Sequence, residues 1–194
     1  MKKEQVKDLY EQHMIVDFPQ SELKTLDQIM SYLDLGIYTI YGLYEKEELL
    51  AYAMFMLQEK KEFQLLDYYA CNRKYRGRGY GSYLLQELSK VDQTSKGYLI
   101  EVESVRTAAN EEERMIRERR IHFYEKNGLR RTSLRTNVYG VEFDILYLPI
   151  QWDGEDTVLQ AAIEELYLQM FGEVNYEKYT TIEKIATNYA AQTE

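Results

Sequence analysis

The chain has a single cysteine, Cys71, in 194 residues. One thiol excludes an intramolecular disulfide and any cysteine-rich zinc site. Its two histidines, His13 and His122, stand far apart without metal spacing, so no metal is expected. No apolar run nears the length of a spanning helix. The opening residues Met1-Lys2-Lys3-Glu4-Gln5 hold no apolar signal core. Bases are in deficit, 24 against 33 acids, for a net charge of −9. Such a balance argues against general nucleic-acid binding. These absences lead us to expect a cytoplasmic protein with neither a membrane nor a nucleic-acid partner.

What is present reads as an ordinary globular chain. Hydrophobic residues make up 45% and charged residues 29%, and the length suffices for one domain with a real core. Nineteen tyrosines suit half-buried strands and pocket walls, since the ring is apolar and the hydroxyl polar. The acidity is uneven. Residues 153–194 hold nine acids and two bases. That fits a cationic acceptor, but also simple solubility.

Apolar periodicity predicts helices over 4–14 and 21–34, separated by Pro19, with Ser21 as N-cap and Gly36 as terminator. Residues 37–45 and 49–58 read as a hairpin around a charged turn. A third strand covers 63–71. A helix then runs from the glycine-rich turn to about Thr94, followed by a strand from Gly97 to Glu103. Residues 110–127 are strongly helical, with Asn110 as N-cap and Gly128 at the end. Strands at about 130–139 and 142–150 meet near Gly140, and 155–171 forms a last amphipathic helix. The final twenty or so residues are hard to place, part of them frayed. We find no repeat and no linker, so residues 1–194 are read as one domain with a core at about 37–150 and a C-terminal helix and tail at 151–194. The fold class is mixed α/β.

The most telling stretch is Arg76-Gly77-Arg78-Gly79-Tyr80-Gly81, between a strand and a helix start. Glycine lets backbone approach a ligand and adopt positive φ. Free N–H groups at a helix start, with the dipole, bind anionic oxygens. Arg73, Lys74, Arg76 and Arg78 crowd this turn in an acidic chain. A diphosphate cradle follows. A Walker loop would need Lys-Ser/Thr after the last glycine, and a dinucleotide fingerprint needs G-x-G-x-x-G. Neither is here.

What fits is Arg-x-x-Gly-x-Gly, carried by Arg76, Gly79 and Gly81. It resembles the acetyl-coenzyme-A signature of the GNAT N-acetyltransferase superfamily, and the flanks from Lys74 to Leu85 are similar to that family's usual wording. A second mark, Tyr124-Glu125-Lys126-Asn127-Gly128, resembles the family's Tyr-Glu-Lys-x-Gly helix end. The resemblance implies a central mixed sheet whose two parallel neighbours splay apart to admit the cofactor, with helices flanking it. It implies acetyl-CoA as co-substrate, held by Tyr69, Ala70 and Cys71 of the strand and by Arg76, Gly77, Arg78, Gly79, Tyr80, Gly81 and Ser82 of the turn. It also implies Tyr124 as general acid for the departing thiolate. A phenol is protonated at neutral pH and can donate. The match departs at Arg117 and Arg120, where the family often has Asn and Ala, and that puts the substrate side of the pocket in question. Residues after 151 match no pattern we can name.

Acetyl transfer to an amine needs a base, because a lysine-type amine is mostly protonated at pH 7. Glu101 and Glu103 point to one face of their strand by the period of two. Our order of candidates is Glu101, Glu103, Asp67 on the preceding strand, and Glu22 after Pro19. Asp67, Glu22 and Arg120 are the residues expected on the acceptor side. Arg120 is expected to pair with Glu101, Glu103 or a cofactor phosphate, or to snorkel at the helix edge. The expected activity is transfer of acetyl from acetyl-CoA to an amine, with a small-molecule or peptide amine as acceptor; a homodimer is compatible. Transfer of another acyl group, and acyl-CoA binding without catalysis, are the alternatives.

Overall fold

A computed structural model describes residues 1–60, 62–92 and 94–185. The first helix, α1 (Lys3–Leu9), continues through a π-helical stretch, Tyr10–Met14, into a last turn, Ile15–Asp17. It outruns the predicted 4–14 and stops where Phe18, ahead of Pro19, turns extended. The second helix, α2 (Leu26–Asp34), begins later than expected. Residues 19–22 form a turn instead, and Thr25 rather than Ser21 is the N-cap. Thr25 Oγ1 accepts from the Gln28 amide at 3.2 Å while Gln28 Oε1 accepts from the Thr25 amide at 2.9 Å. This reciprocal capping box outcompetes the serine.

The hairpin β1 (Tyr38–Glu45) and β2 (Glu48–Leu57) precedes β3 (Phe63–Cys71). Helix α3 (Tyr80–Val91) and strand β4 (Gly97–Glu103) follow. α3 ends three residues before the predicted Thr94. The Asp92 carboxylate accepts from the amides of Thr94 and Ser95, each at 3.1 Å, which draws the chain out of the helix. Then come α4 (Glu111–Lys126), capped by Asn110, and β5 (Arg130–Val138) and β6 (Val141–Pro149). The expected last amphipathic helix is α5 (Asp156–Phe171); α6 (Glu173–Tyr179) and β7 (Thr180–Lys184), which pairs antiparallel with β5, lead into and occupy the stretch that was hard to place. The expected fraying concerns residues beyond 185, outside the described ones.

The strands form one sheet in the order β1-β2-β3-β4-β6-β5-β7. Among the described residues only β3 and β4 pair in parallel. β2 shows how the sheet is covered on both faces. Tyr52, Met54 and Met56 join a core with α1, α2 and α5, while Ala51, Ala53, Phe55 and Leu57 join one with α3 and α4. This alternation is the period of two with both faces buried.

Two irregularities position the site. β2 and β3 slip register so that Met54 faces Tyr68 and Phe55 faces Leu66, which leaves Asp67 as the extra residue of a bulge. The parallel ladder between β3 and β4 runs from Phe63/Gly97 to Leu66/Ile100 and ends there. Residues 67–71 and 101–103 therefore diverge. The gap opens where the bulge adds twist, and it leads to the glycine turn.

Candidate functional site

Gly79 is the N-cap of α3, at φ +85°, and no side chain caps that helix end. Gly77 is also left-handed, at φ +77°. A β-carbon at either would meet nothing within 4 Å, so the turn leaves open space before the first amides of α3. Gly81 serves packing. A β-carbon there would lie 3.2 Å from Cys71 Sγ and 3.3 Å from the Phe123 ring, so glycine lets α3 sit close to β3 and α4 without displacing those side chains. An open, uncapped helix start with close backbone access fits a coenzyme diphosphate.

The basic residues divide their work. Arg76 Nη2 bonds Asp17 Oδ1 at 2.7 Å, and its Nε bonds the Cys71 carbonyl at 3.2 Å. Arg73 reaches the same carboxylate at 3.4 Å and also the Val16 carbonyl. Lys74 pairs with Glu48 at 2.7 Å. Sequence reasoning aimed all four bases at phosphate; the structure ties three of them to carboxylates. Arg78 instead lies over the Tyr75 ring, 5.4 Å from its centroid. Asp17, buried at the end of the π-bulged helix, had no signature in the sequence.

A cleft of about 310 Å³ is lined by Tyr69, Ile116, Arg119, Arg120, Phe123 and Tyr124. It lies between the diverging end of β3 and helix α4. Tyr124 is 7% exposed, with ring centroids 5.2 Å from Phe123 and 6.4 Å from Tyr69. Burial pushes its phenol up to about 12, against the opposing charge of Arg120. It therefore stays protonated at neutral pH. Tyr69 donates to the Gly81 carbonyl and so ties β3 to α3. Ala70 and Cys71 continue the half-buried end of β3 toward the turn, and Ser82 sits partly exposed in the first turn of α3. Burial raises the Cys71 thiol.

The two departures from the family pattern find distinct uses. Arg117 is buried and donates to the Ser104 carbonyl at 2.6 Å and Thr107 Oγ1 at 3.0 Å, with Glu103 at 3.2 Å and Glu113 also in contact. It fastens the β4–α4 connection. Arg120 pairs with Glu103 at 3.3 Å and stays half exposed at the cleft, so of the offered partners Glu103 is the one it takes here. Glu103 is thus held by two arginines.

Glu101 stands two residues before Glu103 on the same face of β4, as expected, yet it and Asp67 take their partners from α5, β1 and the segment ahead of α2. Glu101 accepts a hydrogen bond from Tyr167 of α5. Burial pushes its carboxyl up to about 7, helped by the charge of Asp67 and opposed by the Tyr167 hydrogen bond and Lys24. Asp67, the bulge residue, accepts from Lys24 Nζ at 2.8 Å and from the Tyr38 hydroxyl. Tyr68 bonds the Glu22 carbonyl and the Lys24 amide, each at 2.8 Å, and burial pushes its phenol up to about 12. Glu22 thus contributes its backbone, while its side chain is exposed. Lys24, Tyr38 and Tyr167 were missed. They lie 29 to 66 residues from their partners, and no local pattern marks them. Among the described residues no group of side chains could hold a metal, and no helix is long and apolar enough to cross a membrane.

Comparison with known proteins agrees with this geometry. The model of the acetyltransferase (GNAT) domain matches residues 36–130. A protein from Bacteroides thetaiotaomicron assigned to the GNAT family superposes with a TM-score of 0.70 at 18% identity, covering 89% of this chain and 97% of that one. The ribosomal-protein-S18-alanine N-acetyltransferase of Escherichia coli gives 0.54 at 20%, covering 80% and 94%. An aminoglycoside 6′-N-acetyltransferase solved with coenzyme A gives 0.56 at 15%, covering 79% and 93%. At these identities the likeness is one of fold. Among curated proteins none matches by sequence. The chain carries a GNAT-family acetyltransferase domain, set in a mixed α/β fold of the GNAT type.

Proposed function

We propose that the protein transfers an acetyl group from acetyl-CoA to a primary amine by direct attack. The observation that carries this reading is the β3–β4 gap, which opens at the Asp67 bulge and leads to an uncapped helix start. Tyr124 lies on one side of the gap and Glu101 on the other. The amides that open α3 and the cation of Arg78 hold the diphosphate, while residues 69–71 and the cleft wall guide the pantetheine arm. Acetyl-CoA supplies the activated thioester.

The chain's own residues handle two protons. Glu101 takes the proton of the acceptor ammonium, directly or through one water. A carboxyl poised at about 7 suits that exchange near neutral pH. The new C–N bond forms as the C–S bond breaks, Tyr124 gives its proton to the sulfur, and the second proton shed by the new amide nitrogen restores the Tyr124 phenol. Asp67 and Lys24 sit beside Glu101 on the acceptor side. Arg120 and Glu103 border the gap at the end of β4. The acceptor is a small-molecule or peptide amine, and we place the reaction in the cytoplasm.

Thiol release tests this reading. The full chain is mixed with acetyl-CoA and a panel of small amines, a polyamine, an aminoglycoside, amino acids and short peptides. Release of one thiol per acetylated amine supports transfer. Coenzyme binding without thiol release from any acceptor would make the domain an acyl-CoA binder. Release only with a longer acyl-CoA would change the donor.

A further inference from the structure

Tyr167 lies on α5, beyond the residues that the family model matches, and is fully buried. Its neighbours on that helix, Leu159, Ala162, Ile163 and Leu166, are apolar core. A phenylalanine would fill the same place. The hydroxyl has a specific use: it donates to the Glu101 carboxylate and lies 3.1 Å from Thr136 Oγ1. A phenol has one proton. Since an ionised carboxylate can only accept, that proton goes to Glu101, and Thr136 donates its own to the Tyr167 oxygen. Three elements, β5, α5 and β4, thus converge on one carboxylate.

We propose that Tyr167 is a positioning residue that holds the Glu101 carboxylate ready for the acceptor's proton, so that the C-terminal helix completes the site. This rests on the reading of Glu101 as the base. The charged and titratable groups facing Glu101 are Asp67 from β3, Lys24 from the segment ahead of α2 and Tyr167 from α5, with Tyr176 of α6 behind Tyr167. Asp67 disfavours the carboxylate; Lys24 and the Tyr167 hydrogen bond favour it. Removing the hydroxyl leaves Asp67 and burial less opposed. Glu101 then protonates more readily and loses its fixed rotamer.

The test is a carboxylate ¹³C titration of the full-length wild type, Tyr167→Phe and Thr136→Val, read beside the pH profile of thiol release from acetyl-CoA with the amine panel. In Tyr167→Phe the Glu101 midpoint and the acidic limb of kcat/KM should both rise by about one to two pH units, the size expected for a hydrogen bond to a charged group. Thr136→Val should move both in the same direction by less. A folded Tyr167→Phe with unmoved midpoint and limb overturns the proposal. If that variant does not fold, unmoved values in Thr136→Val overturn it. Wild-type protein that releases no thiol with any amine sinks the transfer reading and the role of the pair with it. The titration separately reports whether the two residues are coupled.

Discussion

Asp17 and Arg76 meet at 2.7 Å, and the Asp17 carboxylate is 3% exposed while the guanidinium is half exposed. The signature arginine of the glycine turn is therefore anchored to the end of the π-bulged first helix. Tyr52 donates to the same carboxylate at 3.1 Å. The ion pair joins the cofactor turn to the face of the sheet that holds Asp67 and Glu101.

Arg76→Ala should accordingly act on structure as much as on phosphate. It removes one partner from a nearly buried carboxylate, which keeps Tyr52 and Arg73. A loss of about 1–3 kcal/mol in denaturant unfolding is expected. Asp17→Asn should weaken acetyl-CoA binding in calorimetry although it never reaches the coenzyme. Unchanged stability and affinity in both variants would remove the anchor from the account.

Gly79→Val places a β-branched residue at φ +85°. The strain is about 1–2 kcal/mol, and the open space before α3 is lost. The fold should survive, because a β-carbon there clashes with nothing. Acetyl-CoA affinity should fall severalfold or more in calorimetric titration. Wild-type affinity in that folded variant would move the diphosphate elsewhere.

Tyr124→Phe should lower kcat by about 10²–10⁴ when chemistry limits the rate. Acetyl-CoA affinity should stay near wild type, since the ring still packs against Phe123 and Tyr69. Among the described residues its hydroxyl bonds no other side chain, so stability should change by less than about 0.5 kcal/mol. A kcat equal to wild type returns Tyr124 to the core.

Glu101 makes activity and stability depend on pH in opposite senses. The base works ionised, so kcat/KM should fall as pH drops through about 7. Its folded pKa is raised above the ordinary carboxylate range. The protonated form therefore stabilises the fold below about pH 4.5, and that contribution is lost as pH rises through about 7. Glu101→Gln should erase the acidic limb and stabilise the protein above pH 7, by an amount on the order of 3 kcal/mol. An acidic limb that persists in Glu101→Gln hands the role to Glu103, then Asp67.

Much of the frame was legible because it is local. β3 and the turn follow from an apolar run ending in glycines, and their bounds agree with the structure at both ends of the strand. Asn110 caps α4 as its position implies. The first helices were misjudged where a neighbouring cap, Thr25, outcompeted Ser21. The splay was implied by resemblance alone. Its visible cause, the Asp67 bulge, depends on register with β2, which no single strand reveals. The site reads half-way. Tyr124 and Glu101 carry local signals, but Tyr167, Lys24 and Asp17 reach their partners across 43 to 66 residues. β7 was missed because its pattern is short and gains meaning only against β5.

The central claim is that the β3–β4 gap brings the thioester between Tyr124 and Glu101. A structure of the protein with coenzyme A measures this directly. The account predicts the diphosphate on the amides opening α3 and the sulfur within about 3.5 Å of the Tyr124 hydroxyl. A coenzyme bound outside the gap, or a sulfur beyond reach of Tyr124, would contradict it.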